Sequence, residues 1–120
     1  MDASGEPTDA ELVVQAAMAY GDEREPADTR AAVRAALRLL IAVAPGRSVE
    51  VRIPPFAAAQ AIAGTTHRRG TPSAVVEMDA RTWILLASGD LDWVAAVAQG
   101  RVRASGERSD LSTWLPLVDP

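Results

Sequence analysis

The chain has no cysteine and no lysine. The first absence rules out disulfides, thiolate nucleophiles and cysteine-ligated zinc. The second makes every basic side chain an arginine, 12 in all. Histidine occurs once, at His67. A Ser-His-Asp triad would have to use it, and no nucleophile-elbow sequence stands nearby. One histidine without cysteine is also a poor start for a metal site, which needs several convergent ligands. No apolar run approaches the roughly 20 residues of a membrane-spanning helix, so stable membrane insertion is not expected. The first residues, MDASGEPTDAE, are acidic and polar, the opposite of a secretory signal, and a cytoplasmic address is expected. No enzyme activity, cofactor or metal is expected from this inventory.

What the chain does have is apolar mass in small pieces. At 120 residues, 48% of them hydrophobic, it is sized for one packed domain. Much of that share is alanine, so the few large side chains (Trp83, Trp93, Trp114 and Phe56) are expected to anchor the packing. Charge is uneven along the chain. Residues 1–28 carry Asp2, Glu6, Asp9, Glu11, Asp22, Glu23, Glu25 and Asp28 against Arg24 alone, which marks an acidic arm ahead of a mildly basic body at 29–120. The arginines of that body are scattered and accompany no recognition motif, so nucleic acid is not an expected partner.

Hydrophobic periodicity divides the chain into nine elements. Thr8 and Glu11 form a capping box for a helix over 8–20, with Leu12, Val13, Ala16, Ala17 and Tyr20 on one face. A second helix over 29–44 carries Val33, Ala36, Leu37, Leu40, Ile41 and Ala44 as one stripe and Arg30, Arg34 and Arg38 as another. Asp28 or Thr29 caps it, and Pro45-Gly46 stops it. Period-two alternation at Val49, Val51 and Ile53 then marks a strand ended by Pro54-Pro55. Residues 56–63 and 74–78 are expected to be strands flanking a loop at 64–73. Asp79 caps a helix over 80–88, closed by Gly89. Asp90 or Asp92 caps a short one that ends at Gln99. A strand at 101–105 stops at Gly106, and Ser109 or Asp110 caps a last helix through Leu115.

The segment TWILLASGDLDWVAAVAQGRVRASG at 82–106, followed by ERSDLSTWLPLV, resembles the C-terminal half of sterol carrier proteins. Gly89, Gly100 and Gly106 stand at that family's helix and strand ends. The middle block, SVEVRIPPFAAAQ and HRRGTPSAVVEMD, resembles the short actinobacterial orthologues. The resemblance covers about residues 29–118. It implies an α+β fold, a small, mostly antiparallel sheet covered by helices, to which this chain adds an N-terminal helix. It also implies a non-catalytic domain that binds a lipid or other small apolar molecule. The chain departs from the fuller carriers at 64–73, where a polar loop replaces a β-hairpin and leaves the sheet short by a strand.

Under that resemblance Trp83, Leu86, Trp93, Val97, Trp114 and Leu115 are the residues expected to line an apolar pocket between the sheet and the C-terminal helices. His67, Arg68 and Arg69 are a candidate anion or head-group loop, since forked arginine donors suit phosphate and carboxylate. The paired carboxylates Glu77/Asp79 and Asp90/Asp92 are read as helix caps rather than acid–base pairs. Two functional readings remain open at this stage: the lipid-type carrier, and a protein-interaction module, possible as a homodimer, with a filled core and no ligand.

Overall fold

In the computed structural model of the chain the described residues are 5–19, 25–64, 66, 70–106 and 109–119. Helix α1 (Asp9–Ala19) opens with the expected capping box. The Glu11 backbone N–H donates to Thr8 Oγ1 at 3.1 Å, and the Thr8 N–H donates back to Glu11 Oε1 at 3.4 Å. Helix α2 (Pro26–Val43) begins upstream of the expected start at 29, with Pro26 in its first turn and Glu25 as an N-cap that makes no side-chain bond. Proline suits that position because its fixed φ is helical and its missing N–H would have had no partner there. Asp28 and Thr29 therefore lie inside the helix.

α2 buries a wider face than the single stripe read from periodicity. Ala32 and Ala35 are buried along with Val33, Ala36, Leu37 and Leu40, whereas Ile41 stays largely outside. The helix is wedged between α1 on one flank and the rest of the fold on the other, so two adjacent faces are covered. On its exposed side Arg38 makes a two-pronged ion pair with Asp9 of α1, Nε to Oδ2 at 3.0 Å and Nη2 to Oδ1 at 2.9 Å. The carboxylate raises the Arg38 pKa further above its ordinary value, although both side chains remain substantially solvated.

Four strands follow as expected: β1 (Val49–Ile53), β2 (Ala57–Ala61), β3 (Ala74–Met78) and β4 (Val102–Gly106). They form one sheet in the order β2-β1-β3-β4. β1 pairs antiparallel with β2 and parallel with β3, and β3 pairs antiparallel with β4, so the sheet is mixed and mostly antiparallel. Val49, Val51 and Ile53 alternate inward with Ala74, Val76 and Met78 beside them. On the other face Arg52 pairs with Glu50 along the same strand. β4 is an edge, with only Val102 partly covered.

Helices α3 (Ala80–Ser88) and α4 (Trp93–Ala98) link β3 to β4. Asp79 caps α3 by accepting from the Thr82 N–H at 2.8 Å, and Asp92, rather than Asp90, caps α4 by accepting from the Val94 N–H at 3.4 Å. The last helix is shorter than expected, a single 3-10 turn at Ser112–Trp114. Leu115 is forced into extended backbone by the following Pro116, which stops the helix at its third residue. Asp110 accepts from the Ser112 N–H at 2.8 Å at its start.

The helices pack on one another and on the sheet around a single cluster of buried side chains. α1 rests on α2 and α3, with Val13 and Ala16 fully buried. Trp83 is the largest fully buried residue, and its indole Nε1–H donates to the Val33 carbonyl at 3.2 Å. That bond satisfies the one polar atom of an otherwise apolar anchor. A second tie joins the end of α2 to both strands of the hairpin. Ile62, at φ 69°, donates its N–H to the Ala44 carbonyl at 2.6 Å. Its own carbonyl accepts from the Ser48 N–H at 3.0 Å and from Ser48 Oγ at 2.8 Å. Gly46 passes so close that an added Cβ would lie 2.2 Å from the Ile62 carbonyl carbon.

Candidate apolar groove

The interval between sheet and helices is filled, not hollow. Leu40, Val51, Val76, Trp83 and Ile84 are all fully buried there as one cluster. Open spaces of ligand size lie outside that cluster, one of them beneath α1. A groove of about 450 Å³ runs between the last turn of α1, the α3–α4 turn and the C-terminal segment. That volume is within the roughly 300–1,000 Å³ usual for small-molecule sites.

Local sequence explains how the walls are held. Gly89 ends α3 at φ 89° and donates its N–H to the carbonyls of Leu85 and Leu86. The Leu91 N–H also returns to the Leu85 carbonyl at 3.1 Å, which curls the chain back as helix-ending glycine turns do. Where Gly89 lacks a Cβ, Pro116 moves in, 3.3 Å from the position a Cβ would take. The Leu117 N–H donates to the Ala87 carbonyl at 2.9 Å and pins the C-terminal segment across the end of α3. Leu115, Pro116 and Val118 are thereby laid along one wall. The opposite wall is Val14, Ala17 and Met18 of α1, with Met18 80% exposed at the mouth.

Of the six pocket residues expected from sequence, the groove gathers three: Leu86, Trp93 and Leu115. Trp83 faces the core and does not line this groove. Val97 is 47% exposed on the outer side of α4, because Trp93 and Ala96 are the residues that turn inward. Trp114 faces a second groove of about 510 Å³, with Val43, Pro45 and Ile62. His67, Arg68 and Arg69 lie outside the described residues. Their described flanks, Thr66 and Gly70, do not line the groove under α1. Sequence reasoning missed Val14, Ala17 and Met18 as lining residues: Ala17 lies on the apolar face read for α1, whereas Val14 and Met18 are an i, i+4 pair beside it.

A family model described as bacterial SCP ortholog matches residues 24–117. The chain belongs to this family of sterol carrier protein orthologues. No curated protein matches the chain. The sterol-carrier-like match takes in the sheet, α2 to α4 and the C-terminal wall of the groove as far as residue 117, while α1 lies outside it. One wall of the groove is thus built by a segment that the family description does not cover. Among the described residues no helix is long and apolar enough to cross a membrane, and no group of three or more His, Asp or Glu side chains is placed to hold a metal ion.

Proposed function

We propose that the chain is a non-catalytic carrier domain that takes up a lipid or similar small apolar molecule in the groove between α1, the α3–α4 turn and the C-terminal segment. The observation that carries the reading is an apolar groove of about 450 Å³ in a member of a sterol-carrier family. Binding would work by burial of apolar surface, worth about 25 cal/mol per Å² removed from water, with no covalent step. Trp93 would supply a flat aromatic wall, and Leu86, Leu115 and Val118 the aliphatic floor. A cytoplasmic setting is in keeping with the cysteine-free composition.

A second reading is favoured by a different observation. The sheet–helix core is filled, and α4 presents Val94, 68% exposed, beside Val97. These features suit an interaction or homodimerisation module. Native mass spectrometry of the protein purified from its own host separates the two readings. A lipid-sized adduct on a single chain supports the carrier. A ligand-free spectrum dominated by a dimer contradicts it and supports the module.

A further inference from the structure

We propose that the groove under α1 selects amphiphiles with a cationic head group over anionic ones of equal chain length; this rests on the carrier reading above. Most of the groove's lining is apolar, with Leu86, Trp93 and Val118 buried and Leu91 and Leu115 partly so. Its polar edge has one sign. Asp90, Asp92 and Asp119 all line it and all are exposed. No arginine lines it among the described residues, and the chain has no lysine. Asp90 accepts from Ser88 Oγ at 3.1 Å and Asp92 from the Val94 N–H at 3.4 Å. Both donors are neutral, so these bonds orient the carboxylates without cancelling their charge.

A second observation points the same way. Two helices end at the groove. The last turn of α1 contributes Ala17 and Met18, and the last turn of α3 contributes Leu86 and Ser88. Neither helix has a basic residue in its last turn. Each delivers the negative end of its backbone dipole there, where a cation is favoured and an anion opposed. The helix starts at the groove, those of α4 and of the 3-10 turn, are already met by the Asp92 and Asp110 carboxylates. An amphiphile seated with its tail on Trp93 and Leu115 would hold its head among these carboxylates. A quaternary or protonated amine is complementary to that edge, and a carboxylate or phosphate head meets the like charge of Asp90, Asp92 and Asp119 there.

The test is titration of the intact protein with decyltrimethylammonium, decyl maltoside and decanoate, each below its micelle concentration, read by calorimetry and tryptophan fluorescence. The expected order of affinity is cationic, then neutral, then anionic, with about tenfold between the ends at low salt. At 1 M NaCl, where the screening length falls to about 3 Å, the spread should shrink to roughly twofold while neutral binding persists. The double variant Asp90→Asn/Asp119→Asn should lose roughly two- to fivefold in cationic affinity and leave decyl maltoside unchanged. Asp28→Asn, away from the groove, should change neither. Decanoate binding as tightly as the ammonium compound would overturn the charge selectivity and leave the carrier reading standing. An equal effect from Asp28→Asn would also overturn it, since net charge and not the groove edge would then be responsible. Binding of none of the three would overturn the selectivity together with the carrier reading.

Discussion

Gly46→Ala forces a side chain into backbone that is already in place. The new Cβ would lie 2.2 Å from both the carbonyl carbon and oxygen of Ile62 and 2.4 Å from the Ala63 nitrogen. All three are backbone atoms, so no side-chain rotation relieves the overlap. The glycine also sits at φ 151°, a conformation that L side chains rarely adopt. Relief requires Ile62 to move, and Ile62 is held at both ends. It donates to the Ala44 carbonyl and accepts from the Ser48 N–H and Oγ. Ser48 is fully buried, so a lost bond leaves a hydroxyl with no water to turn to. Two or three hydrogen bonds at about 1 kcal/mol each, with a desolvation penalty of about 1–3 kcal/mol for an orphaned buried group, give a loss of roughly 3–6 kcal/mol. Domains of this size have only about 5–15 kcal/mol in hand. Urea unfolding followed by circular dichroism measures the loss as a drop of about 1.5 M or more in midpoint at unchanged slope, for a slope of about 2 kcal/mol/M. A loss below about 1 kcal/mol would refute the account of the Gly46–Ile62–Ser48 contact.

Three further outcomes follow from the same packing. Trp83→Ala removes the largest buried anchor and should cost about 3–5 kcal/mol in the same unfolding assay, with a loss under 2 kcal/mol showing that Trp83 is not core. Asp79→Ala removes the cap of α3 and should cost about 1 kcal/mol, and Asp79→Asn should restore most of it, since an amide oxygen also accepts from Thr82. Arg38→Ala breaks the solvated pair with Asp9 and should shift stability by less than about 1 kcal/mol, less still at high salt. A larger effect would mean that the pair, and not apolar burial of Val13 and Ala16, holds α1 in place.

The elements were legible in the sequence wherever a local rule decided them. The Thr8–Glu11 capping box, the alternation at Val49–Ile53, the caps before α3 and α4 and the glycine at 89 all act through neighbours in the chain. Of the boundaries that differed, the start of α2 was set by Pro26, earlier than the acidic Asp28 suggests. β2 stops at Ala61, before Ile62 turns at φ 69°, and the last helix begins only at Ser112. The groove was only half legible. Leu86 and Trp93 are placed in it by helix phase and Leu115 by the extended segment after the last turn, but their partners on α1 depend on a docking angle that no local rule provides. The three tryptophans show the limit most directly. All stand on short helices with similar neighbours, yet one fills the core, one lines the groove and one faces a second groove. Their assignment follows from which face each helix turns toward α1 and α2, a tertiary outcome.

The measurement that tests the carrier claim most directly is binding of decyl maltoside by calorimetry to the protein, to Ala17→Trp and to Trp114→Ala. Ala17 lines the groove beneath α1, and a tryptophan there would occupy it, whereas Trp114 faces the other groove. The account predicts one saturable site per chain, weakened at least about tenfold by Ala17→Trp, which a loss of about 1.4 kcal/mol would produce, and unaffected by Trp114→Ala. Binding that survives Ala17→Trp and is lost in Trp114→Ala would contradict it.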